Sequence, residues 1–576
     1  MTSFTERLKE RKLVQWTLAY LAGAWLAIQV LDAIADVWGV SILLQRVIQS
    51  LLGLGFLFTL TIAWYHGEQG RQRVTGPELL IIAGLCAVGG VLIALLRDDT
   101  TRPANVAEAD AARPRREKPS IVVLPLQNVS RDPADAYFAD GMHEELIGRL
   151  SQISALSVIA RTSALKYRNT EQSASEIAAE LRVDYVLEGS ATKENNRVRV
   201  HAQLIDGHTD EHIWADDYDR DLTVAHMIDI QQEVANQVAR ALSTRILPEE
   251  SPRIGARPTE NQEAYDAYWR GRYFWNQRTQ EAFQRAVEYF NRALALDPDY
   301  ATAYAGLADS YNTMGSFFIL PSQEAFGQAR TYALKALELD EDLAEAHASL
   351  GYARLNGSWD WASAEASYLR AMRLNDSYAL AHQWYGQLLV YLGRSAQGIA
   401  ELRQAADLDP MSLPTLAGLG YGLYLTRRYE ESDHQFRAVQ ELDSTFFMAH
   451  LFNALPLLQM KRHDEAIAEV ERAIALGGRQ PPFVALLGTA RGLAGQTEGA
   501  IELAEELVRV SKQQHVAPEQ IATVYVHAGR TDLAFDLLER AFREQSYGLI
   551  YLRSDPLYDP LRSDPRFQDL LRRVGL

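Results

Sequence analysis

The sequence predicts a multidomain chain: N-terminal transmembrane helices, a central α/β domain and an all-α superhelical solenoid. Three observations carry this. First, near-identical helix ends recur as Leu294-Ala295-Leu296-Asp297-Pro298, Leu337-Glu338-Leu339-Asp340, Met372-Arg373-Leu374-Asn375, Ala406-Asp407-Leu408-Asp409-Pro410, Glu441-Leu442-Asp443 and Ile474-Ala475-Leu476. From Leu374 the rungs Leu408, Leu442, Leu476 and Val510 follow at a step of about 34 residues, the period of a helix-turn-helix solenoid. Second, Ser120 to Leu126 reads Ser-Ile-Val-Val-Leu-Pro-Leu, the length and composition of a buried strand, and alternating helix and strand patterns follow it. Third, apolar stretches of membrane-crossing length open the chain.

At 576 residues the chain is too long for a single core. Its formal charge of -18 is uneven. Met1 to Thr100 holds eight Lys or Arg against eight Asp or Glu, so the acidic excess lies in the remainder. An acidic body argues against a nucleic-acid partner, which needs a basic face. Cys86 is the single cysteine and lies in an apolar stretch, which excludes an intrachain disulfide and a cysteine metal site.

Residues 1–97 read as a membrane segment with helices at about 13–35, 47–65 and 79–96, each near the roughly 20 residues needed to cross a bilayer. Arg7, Lys9, Arg11 and Lys12 precede the first stretch and Arg71 and Arg73 lie between the second and third, whereas the first turn carries Arg46. The positive-inside rule then puts the N-terminus in the cytoplasm and, after three crossings, the C-terminal domains outside. The expected location is a bacterial inner membrane, with the C-terminal domains in the periplasm. Asp32 and Asp36 mark the interface at the end of the first stretch. Arg97, Arg102, Arg113, Arg115 and Arg116 after the third stretch pull against this orientation.

Residues 98–118 are rich in Ala, Asp, Arg and Pro and read as a solvated tether. The α/β domain occupies 119–248. After the first strand come a helix at about 138–153, a short strand at 156–160, a helix at 175–181, paired strands at 185–190 and 197–205 around a turn at 193–196, a strand at 211–218 and a helix at 224–247. Ile121 to Leu126, Tyr137-Phe138-Ala139-Asp140-Gly141, Val158-Ile159-Ala160-Arg161, Tyr185 to Ser190, Ala202 to Asp206 and Tyr218-Asp219-Arg220-Asp221 resemble the TolB amino-terminal or FlgO-like domain. That resemblance implies a bacterial membrane protein with tetratricopeptide repeats, related to proteins that carry an adenylate cyclase or winged-helix domain. About a dozen residues precede the first apolar stretch, too few for either, so the expectation is the sensing or scaffolding half alone.

After a linker at 249–263, residues 264–545 resemble about eight tetratricopeptide repeats. In the second, Tyr304, Leu307, Ala308, Tyr311 and Gly315 fill the first-helix signature and Ala329, Ala333 and Ala336 the second. Small residues recur at Ala286 and Ala293, Ala364 and Ala371, Gly398 and Ala405, Ala466 and Ala473, and Ala534 and Ala541, where two helices approach closely. Gly351-Tyr352 and Gly418 to Gly422 therefore read as helix packing, not as phosphate loops. The apolar insertion at 316–323 either packs over the array or presents a contact surface. First helices line the concave face in such arrays, which places Asp309, Asn312, Tyr352, Gln383, Gln387, Tyr421 and Tyr424 in a candidate groove for protein or peptide partners. Residues 546–576 read as a terminal cap, opened by the Asp-Pro steps at 555–556 and 559–560.

No Walker loop, dinucleotide fingerprint, nucleophile elbow or His-Glu-x-x-His helix occurs in the sequence. His208, Asp210, His212, Asp216 and Asp217 form the best metal candidate, weaker than a polar-turn reading. Glu144 and Glu145 diverge by about 100° on a helix and read as a solvated face. The expected protein is thus a membrane-anchored scaffold or receptor, not an enzyme, with no cofactor and no metal. A signalling component whose α/β domain senses a ligand is the alternative, and a metal-dependent enzyme the weaker one.

Overall fold

The protein is described by a computed structural model over residues 118–576, apart from 131–135, 195, 278, 317 and 318. The stretches at 13–35, 47–65 and 79–96 and the tether as far as residue 117 lie outside the described residues. The expected multi-pass inner-membrane location is corrected: among the described residues no helix is long and apolar enough to cross a membrane.

Lys118–Leu576 forms one unit in which an α/β domain and a helical solenoid share contacts. The domain's sheet holds β1 (Ser120–Val123), β2 (Gln127–Asn128), β3 (Ser157–Val158), β4 (Tyr185–Glu194), β5 (Arg197–Asp206) and β6 (His212–Asp221). Strand order is β3-β1-β4-β5-β6, with β2 also on β4. β1 runs parallel to β3 and β4, while β4, β5 and β6 are antiparallel neighbours. Along β5, Val198, Val200, Ala202 and Leu204 are buried and Arg197 and Arg199 exposed, the period-2 alternation of a strand whose first half has one buried face.

Helices α1 (Ala136–Ser151) and α4 (Val224–Ala241) cover one face, packing Leu146, Leu150, Ile228 and Val234 against Ile121, Leu187 and Val200. The opposite face carries α2 (Arg161–Ala164) and α3 (Ala174–Leu181), with Ile177 and Leu181 against Val122 and Val186. A capping box of Ser173 and Glu176 starts α3. α4 stops at Ala241 instead of 247, because Ser243 takes a left-handed backbone (φ 52°) and Thr244 N–H turns back to Ala239 O at 2.8 Å. α2 was not legible in the sequence, being a single turn at the end of a strand.

Eight helical hairpins follow. Their paired helices are Gln262–Trp275 and Gln280–Leu296, Ala301–Ser316 and Ser322–Leu339, Ala344–Ser358 and Trp361–Leu374, and Ala379–Tyr391 and Ser395–Leu408. Then come Leu413–Leu425 and Tyr429–Leu442, Phe447–Gln459 and His463–Gly477, Pro481–Leu493 and Thr497–Val510, and Pro518–His527 and Thr531–Arg543. The segment 249–263 is ordered, with Glu250 and Thr259 buried.

The ladder of helix ends has a local cause. After the second helices, Asp297, Asp340, Asn375 and Asp443 each leave helical geometry, and each side chain accepts the backbone N–H two residues on, at 3.1, 3.0, 3.1 and 2.8 Å. An Asx turn thereby aims the chain into the next hairpin. The small second-helix positions are all closed: Ala286, Ala293, Ala364, Ala371, Ala466, Ala473, Ala534 and Ala541 have no exposed surface. A Cβ on Gly351 would lie 2.8 Å from the Tyr368 ring, and one on Gly420 2.9 Å from Phe436, so both glycines serve helix approach. In the insertion, Ile319 and Leu320 pack on the Trp275, Phe283 and Phe290 cluster.

Beyond the eighth hairpin, turns at Tyr547–Tyr551 and Pro556–Leu561 run back along the first helices, and the helix Pro565–Val574 covers the last hairpin through Phe567 and Leu570. The curve of the array brings this end to the third hairpin: Trp361 Nε1 donates to Val574 O at 2.9 Å, and the Phe542 ring lies 5.5 Å from that of Trp359.

Candidate functional site

The inner wall, made of the first helices, holds the seven groove residues. Asp309, Asn312, Gln383 and Tyr424 are buried; Tyr352, Gln387 and Tyr421 are half-buried. Several of these join successive first helices. Asn312 Nδ2 donates to Ser349 O at 3.0 Å, Ser349 Oγ donates to Asp309, and Thr415 Oγ1 donates to Gln383 Oε1 at 3.2 Å. Tyr352 packs its ring 4.6 Å from Trp384, and its hydroxyl lies 2.9 Å from Ser316 Oγ. Gln387 sits beside Gly418. Polar groups on a curved wall with small neighbours come within reach of the next repeat, and burial makes pairing there obligatory.

Two parts of the chain occupy the wall. At its N-terminal end the α/β domain docks through charge. Arg272, on the first helix of hairpin 1, reaches Glu144 Oε1 of α1 at 2.6 Å and Asp309 Oδ2 at 3.2 Å, while Arg161 of α2 lies 3.5 Å from Glu144. Burial would raise the Glu144 pKa, but Arg272 and Arg161 outweigh it and hold the carboxyl below its ordinary range. The solvated-face reading of Glu144 is thereby corrected: it lies at a domain junction. Tyr265 and Trp269, beside Arg272, enter the core under α1 and α4.

The junction continues along the turns between hairpins. Val158 N–H donates to Ser377 Oγ at 3.2 Å, and Ala160 N–H to Leu408 O at 2.8 Å. Asp409 breaks the rule of its ladder: its Oδ1 accepts from Ser163 N at 3.0 Å and Ser163 Oγ at 2.6 Å in α2, while Met411 N–H donates to Ser163 Oγ at 2.8 Å. Burial raises the Asp409 pKa to about 6 in spite of these bonds.

At the C-terminal end the wall is filled by residues 547–561. Tyr547 packs 6.3 Å from Phe326, and Tyr551 lies 5.0 Å from Tyr391 and 5.7 Å from Tyr421, both edge-on. Tyr424 OH donates to Asp555 Oδ1 at 2.7 Å, and Leu557 N–H to the same atom at 2.9 Å. Burial raises Asp555 to about 6, with these two bonds opposing. Between this segment and hairpins 5 to 8 a cavity of about 190 Å³ remains. Sequence reasoning missed Arg272, Ser163, Asp409, Glu519 and Asp555, since each depends on a partner more than 25 residues away.

The metal candidate is dispersed. His208 lies 3.6 Å from Asp184, Asp210 accepts from Ser175 N and Oγ at 2.8 and 2.6 Å, and Asp217 pairs with His201 across β5 and β6 at 2.9 Å. His212 and Asp216 are exposed on β6. Among the described residues no three His, Cys, Asp or Glu side chains gather to hold a metal ion.

Residues 117–237, the α/β domain, match the family described as HilA/YgeH-like transcriptional regulator, second domain. The TolB amino-terminal or FlgO-like family read from the motifs is not the one matched. A protein of Rhizobium meliloti (strain 1021) named "Putative adenylate cyclase 3" is 39% identical over 212 residues, which is 37% of this chain and 36% of that protein. The chain thus spans about a third of this relative's length. Among solved structures, Pseudomonas aeruginosa pilF is 19% identical, covering 37% of this chain and 95% of its own, at a TM-score of 0.28. YrrB, described as a TPR protein with an unusual peptide-binding site, is 21% identical over 33% of this chain and 93% of its own, at a TM-score of 0.24. Each of these two likenesses covers about a third of this chain, and the TPR-like character of the solenoid rests on its own succession of helical hairpins.

Proposed function

We propose that this protein is a non-catalytic scaffold that holds a protein or peptide partner on the inner wall of its solenoid, within a signalling or regulatory assembly. One observation carries the reading: the wall already holds a segment of two short 3-10 turns, residues 547–561, through aromatic edges and the Tyr424 to Asp555 hydrogen bond. A wall that seats a short peptide segment of its own chain has the chemistry to seat another. Asp309, Asn312, Tyr352, Gln383, Gln387, Tyr421 and Tyr424 are the residues proposed to frame that surface.

The regulatory context rests on the family that the α/β domain matches, named for transcriptional regulation, and on the Rhizobium relative over 212 residues of the chain, named as a putative adenylate cyclase. Kinship of the domain with the TolB amino-terminal or FlgO-like group is part of the same proposal. A photo-crosslinking residue at Gln387, on the inner wall, is expected to give discrete adducts in cells, while the same group at Arg403, on an outer helix, gives none. Equal labelling from both positions, or none from Gln387, overturns the reading. The chain incubated with ATP and a divalent cation is expected to yield no cyclic AMP, and product formation would refute its non-catalytic part.

A second reading is favoured by Arg272, which binds α1 and hairpin 2 together. A ligand of the α/β domain that moves α1 would be felt on the inner wall. Hydrogen exchange at Asp309 and Ser349, altered by a ligand of the α/β domain, would mark a relay over a passive scaffold.

A further inference from the structure

The cavity between the C-terminal segment and hairpins 5 to 8 has a composition that specifies a ligand. Glu519 opens the first helix of hairpin 8 and is only 5% exposed. Its Oε1 accepts from Ser546 Oγ at 2.8 Å and from Gly548 N at 3.1 Å, while Oε2 is buried with no hydrogen-bond partner. Asp555, 8% exposed, lines the same cavity. A buried carboxylate oxygen without a donor costs about 1–3 kcal/mol or more, so its retention points to a donor that arrives from outside.

The rest of the lining selects the kind of donor. Tyr421, Tyr547, Tyr551 and Tyr558 contribute rings. Tyr551 stands at 85° to Tyr421 and at 88° to Tyr547, which gives the cavity aromatic walls on more than one side. Ring faces attract cations and carboxylates pair with them. None of the lining residues is Lys or Arg. Arg427 is held by Asp559 at 2.7 Å, and Arg562 donates to Asp559 and to the Asp555 main-chain oxygen, so neither reaches in. At about 190 Å³ the space suits a head group with a few carbons.

We propose that this cavity binds a small alkylammonium compound, a primary amine of a few carbons, with its charged head at Glu519 and Asp555 and its carbon chain against Phe452, Leu455 and Leu486. The site stands independently of the scaffold reading, since it lies within the chain whether or not a partner is held. The amine supplies the donor that Glu519 Oε2 lacks, and the tyrosine rings and aliphatic side chains discriminate against a fully hydrated metal ion.

Calorimetric titration of the purified full-length protein with n-butylamine, 1,4-diaminobutane, 1-butanol and Nα-acetyl-lysine N-methylamide tests this. Saturable binding of an amine is expected, with no binding of 1-butanol, its neutral analogue. Glu519→Gln keeps the acceptor for Ser546 and Gly548 and is expected to weaken amine binding at least tenfold. Leu486→Trp fills the apolar end without touching either carboxyl and is expected to abolish binding, which provides a second readout should E519Q fail to fold. Absence of saturable amine binding, equal binding of 1-butanol, or undiminished binding by a folded E519Q or L486W protein overturns the site. Binding of the capped lysine alone would overturn the small-molecule assignment in favour of a lysine side chain on a partner.

Discussion

At hairpins 1 and 2, Arg272 alone joins Glu144 of the α/β domain to Asp309 of the wall. At hairpins 2 to 8, by contrast, the C-terminal segment is held by many rings, Tyr547, Tyr551 and Tyr558 among Phe326, Tyr391, Tyr421 and Phe567. The ionic end gathers two carboxylates around one guanidinium, because a desolvated carboxylate is tolerable only beside its counter-charge. The Lys193–Asp266 pair at 3.3 Å and the Val158, Ala160 and Ser163 bonds cross the same junction. The aromatic end distributes its free energy over area, so losing one contact leaves the others in place. One half of the wall is therefore sensitive to the loss of a single charge and the other redundant in its rings.

The largest effect should come from breaking the ionic end. Arg272→Ala removes the counter-charge shared by Glu144 and Asp309, whose side chains are 19% and 8% exposed, leaving Glu144 to Arg161 and Asp309 to Ser349, and is expected to destabilise the protein by about 3–5 kcal/mol in urea denaturation. A loss under about 1 kcal/mol would show that water reaches the junction and that the contrast fails. Arg403→Ala, at a pair half exposed on both sides, is the control and should cost less than about 0.5 kcal/mol.

Next in size is a property the two ends share. Asp409 and Asp555 have folded pKa values raised from 3.8 to about 6. The folded state thus holds protons that the unfolded state has released, so stability is greatest below about pH 3.8 as far as these groups are concerned and is lost as pH rises through about 6. Asp409→Asn and Asp555→Asn remove the titration while keeping the acceptor oxygen. Each variant should be more stable than the parent by about 3 kcal/mol at pH 8 and equal to it near pH 4, by thermal melting at both values. If D409N alone gains, the segment at 547–561 opens to water at high pH.

The smallest effect sharpens the redundancy of the aromatic end. Tyr424→Phe removes one donor to Asp555 and leaves Leu557 N–H in place, and should cost about 1–2 kcal/mol. Fluorescence of a probe at Gln545 should show the segment still seated. Release of the segment by this single change would mean that one hydrogen bond, not the rings, holds it.

Periodic features were readable because their causes are local. Asx turns at Asp297, Asp340, Asn375 and Asp443 need only the residues two positions away, and the closed alanines need only their own hairpin. Glu144 was misread for the opposite reason. Helical geometry correctly separates it from Glu145, but nothing within α1 reveals that Arg272, 128 residues on, faces it. Asp409 shares its rung with the Asx residues and differs only because Ser163 meets it there.

The sequence by itself determined the solenoid's period, five of the six strands of the α/β domain in their order along the chain and the small residues between helices, since each follows from spacing, propensity and nearest-neighbour packing. Only the tertiary structure decided that the inner wall is occupied at both ends and that Glu519 and Asp555 share a cavity. Those outcomes depend on the accumulated curvature of hairpins 3 to 8, which brings Val574 back to Trp361 across 213 residues. Small rotations per repeat add up to that meeting, and no local pattern in the chain encodes their sum.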